Sequence, residues 1–132
     1  ALDRMIRQGK IFKTATVDEW LDCGTLPAWL ETTGIIVEKE ASDAVADFPE
    51  STIIPPVYLG QGVVIEGSTI GPHVSIEAGV QIKGSTISNS IVREQAQLSG
   101  CAIEQSTVGA HTELTNYTGV IHAGDHSVIS SK

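Results

Sequence analysis

Between Val57 and Val120 the aliphatic residues fall into one column: Leu59, Ile65, Ile70, Ile76, Ile82, Ile87, Val92, Leu98, Ile103, Val108, Leu114 and Val120. The spacings are 6, 5, 6, 6, 5, 5, 6, 5, 5, 6 and 6 residues. Two residues before each member stands a second column: Val57, Val63, Ser68, Val74, Val80, Ser85, Ser90, Ala96, Cys101, Ser106, Thr112 and Thr118. All of these are small or β-branched. A period near six fits neither a helix nor an isolated strand, and it marks an internal repeat.

Residues i and i−2 of a short strand point the same way across the pleat, so both columns face inward. The two or three residues left over turn a corner, often with Gly, Asn or Ser to permit positive φ. Three short strands and three corners close one triangular coil, and twelve aliphatic members at three per coil make four coils. Like residues then stack coil on coil, with parallel strands joined by backbone hydrogen bonds. A sandwich of short strands would space them about 8–12 residues apart instead.

This pattern resembles the hexapeptide-repeat left-handed parallel β-helix, over about half of the chain. The left hand is implied by the resemblance, not by the spacing, since ordinary parallel crossovers are right-handed. The fold class expected is mainly β: a left-handed parallel β-helix of about four coils behind a short α/β segment. Its open ends need cover, which the linker with Pro55-Pro56 supplies at one end. At the other, the repeat breaks between Val120 and Val128, where Gly124-Asp125-His126-Ser127 is polar enough to stop propagation.

The first 40 residues read differently. Residues 2–8 suit a helix with Leu2, Met5 and Ile6 on one face and Gly9 as its stop. Lys10 to Val17 alternates weakly and suggests a strand. Glu19 to Thr25 forms a tight loop, with Thr25 as N-cap and Pro27 in the first turn of the next helix. That helix carries Leu26, Trp29, Leu30, Thr33 and Val37 on one face. Residues 41–52, acidic and punctuated by Pro49, read as a linker. The division is thus 1–40, linker 41–52 and repeat 53–132. A piece of 40 residues buries too little to stand alone, so it must pack on the repeat, on another copy or on a further domain.

Charge sharpens that division. The chain has 16 acidic and 8 basic residues among 132, a net charge of −8, which argues against nucleic acid or an anionic membrane as partner. Ten of the acidic residues lie in the first 50 and six in the remaining 82. No membrane span and no secretory signal is read. The two cysteines suit free buried thiols rather than a disulfide frame, and a cytoplasmic setting is expected. Because the chain opens at Ala1 in helical character, it is expected to be a piece of a longer protein.

Trp20-Leu21-Asp22-Cys23-Gly24-Thr25, followed by a helix with Leu30 and Glu31, resembles the closing motif of the sugar-nucleotide pyrophosphorylases, of the glucose-1-phosphate thymidylyltransferase kind. Those enzymes join an NTP to a sugar 1-phosphate and release pyrophosphate. In that family the motif ends a Rossmann-like catalytic domain, and a β-helix often follows after a linker, the order found here. The resemblance implies that Asp22 is one of two aspartates holding the catalytic Mg²⁺, an ion that takes hard oxygen ligands. Asp22 equally suits a turn cap. The implied partners are a catalytic domain preceding this chain, the NTP and sugar 1-phosphate it handles, and further copies in a homo-oligomer. The Gly-rich, Arg-containing phosphate loop and the first metal aspartate are absent, and Gly60-Gln61-Gly62 fits a corner of the repeat. Alone, this chain is therefore expected to be inactive, its β-helix a structural, oligomerising or regulatory platform.

Hexapeptide β-helices also resemble acyltransferases that use acyl-CoA and a histidine base, which makes His73, His111, His122 and His126 candidates. His73 and His111 follow the steps Ile70-Gly71 and Val108-Gly109 and should lie at outward corners, where a solvated histidine is the simpler reading. A β-helix carbonic anhydrase would need a zinc ligand set, and His122 with His126 is an incomplete one.

Overall fold

The computed structural model describes residues 1–40 and 48–132. Helix α1 (Leu2–Arg7) ends before Gly9, whose φ is +74°. Helix α2 (Leu26–Glu40) starts after Thr25, whose Oγ1 accepts the Ala28 N–H at 3.3 Å. The strand expected over Lys10–Val17 does not form: these residues carry no strand and are exposed. A strand persists only when its backbone groups find a neighbouring edge, and none lies beside this segment among the described residues. The other expected linker residues, 41–47, lie outside the described residues.

From Thr52 the chain winds into a parallel β-solenoid. The first coil holds β1 (Thr52–Ile53), β2 (Val57–Leu59) and β3 (Val64–Glu66). The second holds β4 (Thr69–Ile70), β5 (Val74–Ile76) and β6 (Gln81–Lys83). The third holds β7 (Thr86–Ser88), β8 (Ser90–Val92) and β9 (Gln97–Ser99). The fourth holds β10 (Ala102–Glu104), β11 (Thr107–Val108) and β12 (Glu113–Thr115). The fifth holds β13 (Thr118–Gly119), β14 (His122–Ala123) and β15 (Val128–Ser130). Every third strand stacks, giving three sheets in the orders β1-β4-β7-β10-β13, β2-β5-β8-β11-β14 and β3-β6-β9-β12-β15. This is the architecture of a hexapeptide-repeat β-helix.

Five coils replace the expected four, for two reasons. Ile53 opens the inward column one strand earlier, so Pro55-Pro56 lies inside the first coil rather than ahead of it. The end of the chain also continues the coil instead of stopping it. Asn116 turns the corner above Gly100, with its N–H donating to Ser99 O at 2.8 Å. That register sets Gly119 over Ile103, Ala123 over Val108 and Ile129 over Leu114. Val120, expected inside, is 50% exposed. Gly124 to Ser127 forms a corner of the fifth coil, not a terminator.

The interior follows the two columns. Ile70, Ile76, Ile82, Ile87, Val92, Val108 and Leu114 are fully buried, each contributing about 1.5–3 kcal/mol by leaving water. The small column supplies hydroxyls where corner amides need acceptors. Ser85 Oγ accepts the Cys101 N–H at 3.0 Å and donates to Lys83 O at 2.8 Å. Ser68 and Ser90 repeat the arrangement, accepting from the Ser85 and Ser106 amides. No described buried side-chain nitrogen or oxygen lacks a partner. At the corner between the third and first sheets, Gly67, Gly84, Gly100 and Asn116 stack with φ of +53°, +52°, +64° and +53°, a conformation other residues adopt with strain. Phe48 packs onto the core.

Helix α2 lies along the outer face of the second sheet, touching β2, β5 and β8. Its 15 residues rise about 22 Å, close to the roughly 19 Å spanned by five strands. This cover explains why Ile91 and Thr107, which point outward, are 4% and 5% exposed. On the helix side the buried residues are Thr32 and Val37, with Trp29, Leu30 and Thr33 half-buried and Leu26 exposed. Of the two cysteines Cys101 is buried, but Cys23 is exposed in the loop before α2, against the expectation of two buried thiols. No helix among the described residues is long and apolar enough to cross a membrane.

Candidate functional site

The loop that carries Asp22 is held by its own side chains. Asp22 Oδ1 accepts the Gly24 N–H at 3.0 Å, a turn that an aspartate makes two residues along its own backbone. The Asp22 carbonyl accepts the Thr32 hydroxyl at 2.6 Å, which ties the loop to the buried side of α2. Glu19 pairs with Lys39, linking the start of the loop to the end of the helix. Asp22 is exposed, and Trp20 beside it is 83% exposed. Among the described residues no three His, Cys, Asp or Glu side chains converge to hold a metal ion. Asp22 therefore offers Mg²⁺ one carboxylate, and the residues described here do not make a magnesium site.

The four histidines divide among three places. His111 and His126 stack one coil apart at the corner between the second and third sheets, with ring centroids 4.9 Å apart and planes within 3°. Both take positive φ, +55° and +58°, so His111 does lie at the outward corner expected of it. His122 lies on β14, inside the repeat rather than beyond it, and its Nδ1 is 3.0 Å from Thr107 Oγ1. His122 and His126 thus belong to a strand face and a corner, and no zinc set forms among the described residues.

His73 is the histidine that pairs with helix α2. It sits at the corner between the first and second sheets with φ of +56°, and its Nε2 lies 2.7 Å from Glu38 Oε1 on α2. The pair is partly open to water, His73 at 34% and Glu38 at 59% side-chain exposure. Above His73 the same corner carries Asn89 and Gln105, at φ of +44° and +46°. This ladder and the facing side of α2 border a half-open cavity of about 530 Å³. Leu30, Ile35, Pro27 and Val120 supply its apolar wall, and Glu31, Glu38, His122 and the ladder supply its polar groups.

The sequence placed His73 at a corner but gave no sign of Glu38, 35 residues away. Nor did it point to Asn89 or Gln105, whose only local signal is a long polar side chain at a corner position where Gly would serve, and Glu31 entered only as part of the motif after Thr25. In comparison with known proteins, the chain matches no family model and no curated protein.

Proposed function

We propose that this chain is the C-terminal part of an Mg²⁺-dependent NTP:sugar-1-phosphate nucleotidyltransferase, with a left-handed β-helix serving as its platform. The observation that carries the reading is the loop Trp20–Thr25 tied to α2, the helix that docks on the solenoid. A turn closed by Asp22, tied through Thr32 and followed at once by a docked helix is a rigid mount for one carboxylate. The segment ahead of it exposes Leu2, Met5, Ile6, Ile11, Phe12, Val17 and Trp20. So much open apolar surface on a stretch without strands suits residues that complete another domain. Magnesium would screen charge between phosphates during attack on the α-phosphorus. The role proposed for this chain's own residues is narrower: the Asx turn at Asp22 and Gly24 holds the carboxylate, and α2 fixes the turn to the solenoid. The remaining metal oxygens must come from outside these residues.

The test is pyrophosphate release by the full-length gene product with a panel of NTPs and sugar 1-phosphates in Mg²⁺. The Asp22→Ala variant and the 132-residue chain run beside it. Release by the full-length product, a fall of about 100-fold or more in the variant and silence from the chain alone are expected. No release with any pair overturns the reading, and acyl-CoA binding to the coils then becomes the competing hypothesis.

A further inference from the structure

We propose that the cavity between α2 and the first corner of the solenoid binds a linear aliphatic polyamine, its ammonium groups seated at Glu31 and Glu38. This inference does not depend on nucleotidyl transfer. Gly34 sits in the middle of α2, where glycine is less favourable than alanine. Nothing crowds it: a Cβ there would meet only His73 Cδ2, at 3.9 Å, an ordinary contact. Its φ is not left-handed either, so neither backbone nor packing requires the glycine. What the missing side chain does is keep the cavity open in front of His73.

Charge then selects the ligand. Among the described residues the only basic side chains of the cavity wall are His73 and His122, and His73 already faces Glu38, so the uncompensated charge there is acidic. Glu31 and Glu38 stand at i and i+7 on one face of α2, about 10 Å apart along the axis, with Gly34 between them. Among the described residues, Glu31 makes no hydrogen bond or ion pair, and Glu38 engages only His73. Each ammonium has three donors and no acceptor. The two carboxylates and the carboxamide oxygens of Asn89 and Gln105 match them. Between the ends, Leu30, Ile35 and Val120 give a hydrocarbon stem an apolar wall. An amine arriving at Glu38 competes with His73 for the carboxylate, and the net charge of −8 raises the local concentration of cations.

The experiment is calorimetric titration of the 132-residue chain with spermidine, at about 0.15 M salt to screen diffuse attraction. A saturable one-site isotherm is expected. The double variant Glu31→Gln/Glu38→Gln should bind about tenfold more weakly or worse, while Glu104→Gln, an exposed carboxylate on the first sheet, should bind as the parent does. Gly34→Leu fills the cavity without touching charge and should abolish the isotherm. Thermal unfolding confirms that each variant is folded. Should Gly34→Leu fail to fold, the charge variants decide alone. Absence of saturable heat overturns the proposal. So does equal weakening by Glu104→Gln, which would mean diffuse attraction to an acidic protein. Saturable binding of glucose with none of spermidine overturns it as well, since the cavity would then read hydroxyls and not charge.

Discussion

Ser85 shows what single residues contribute to this fold. Its hydroxyl is buried, receives the Cys101 amide and gives its own proton to the Lys83 carbonyl. Ser85→Ala removes both bonds and leaves a buried N–H without an acceptor, which costs about 1–3 kcal/mol. A shift of the urea midpoint with an unchanged slope checks this. Ile82→Ala, at a fully buried position of the aliphatic column, should cost about 2–5 kcal/mol through lost burial and a residual cavity. These positions were legible in the sequence because a period near six repeats them coil after coil. Val120 was not legible: it fits the column by chemistry, but Asn116 turns the chain earlier and Gly119 takes the inner place. A glycine in an aliphatic column gives no hydrophobic signal, so the fifth coil was hidden. Asp22 could be read only as far as its turn, which its bond to Gly24 bears out.

At the scale of elements, α2 joins a local signal to a tertiary one. Thr25 caps it through Oγ1, and Thr25→Ala should lower stability by about 0.5–2 kcal/mol. Gly34→Ala should raise it by about 0.5–1 kcal/mol, because the site is helical and uncrowded. Chemical unfolding followed by circular dichroism measures both, and the opposite signs make a stringent pair. A cap and a stripe of apolar residues predicted the helix. They did not predict that Thr32 would be buried through its bond to Asp22 O, nor that Glu38 would meet His73. Both contacts depend on where the second sheet lies, and its position is set by residues far along the chain. The segment 10–17 failed in the opposite sense. Alternation was present, but no edge stood beside it to turn that pattern into a strand.

The whole molecule divides into a closed solenoid and an open leading segment. In the solenoid most strands pair on both sides, the inner columns of the middle coils are buried, and α2 covers much of the second sheet. The leading 20 residues are exposed throughout and bring no side chain to a core. The two halves differ in their source of order: the repeat carries its own, and the leading segment has little beyond the short helix α1. The proposed function rests on this contrast, because the loop with Asp22 is the joint between the halves. Amide hydrogen exchange tests it most directly, comparing the 132-residue chain with the full-length gene product. Lasting protection over 52–130 is expected in both proteins, with residues 2–20 exchanging at once in the chain alone and slowly in the longer product. Equal, rapid exchange of residues 2–20 in both would contradict it, for the segment would then belong to no second domain.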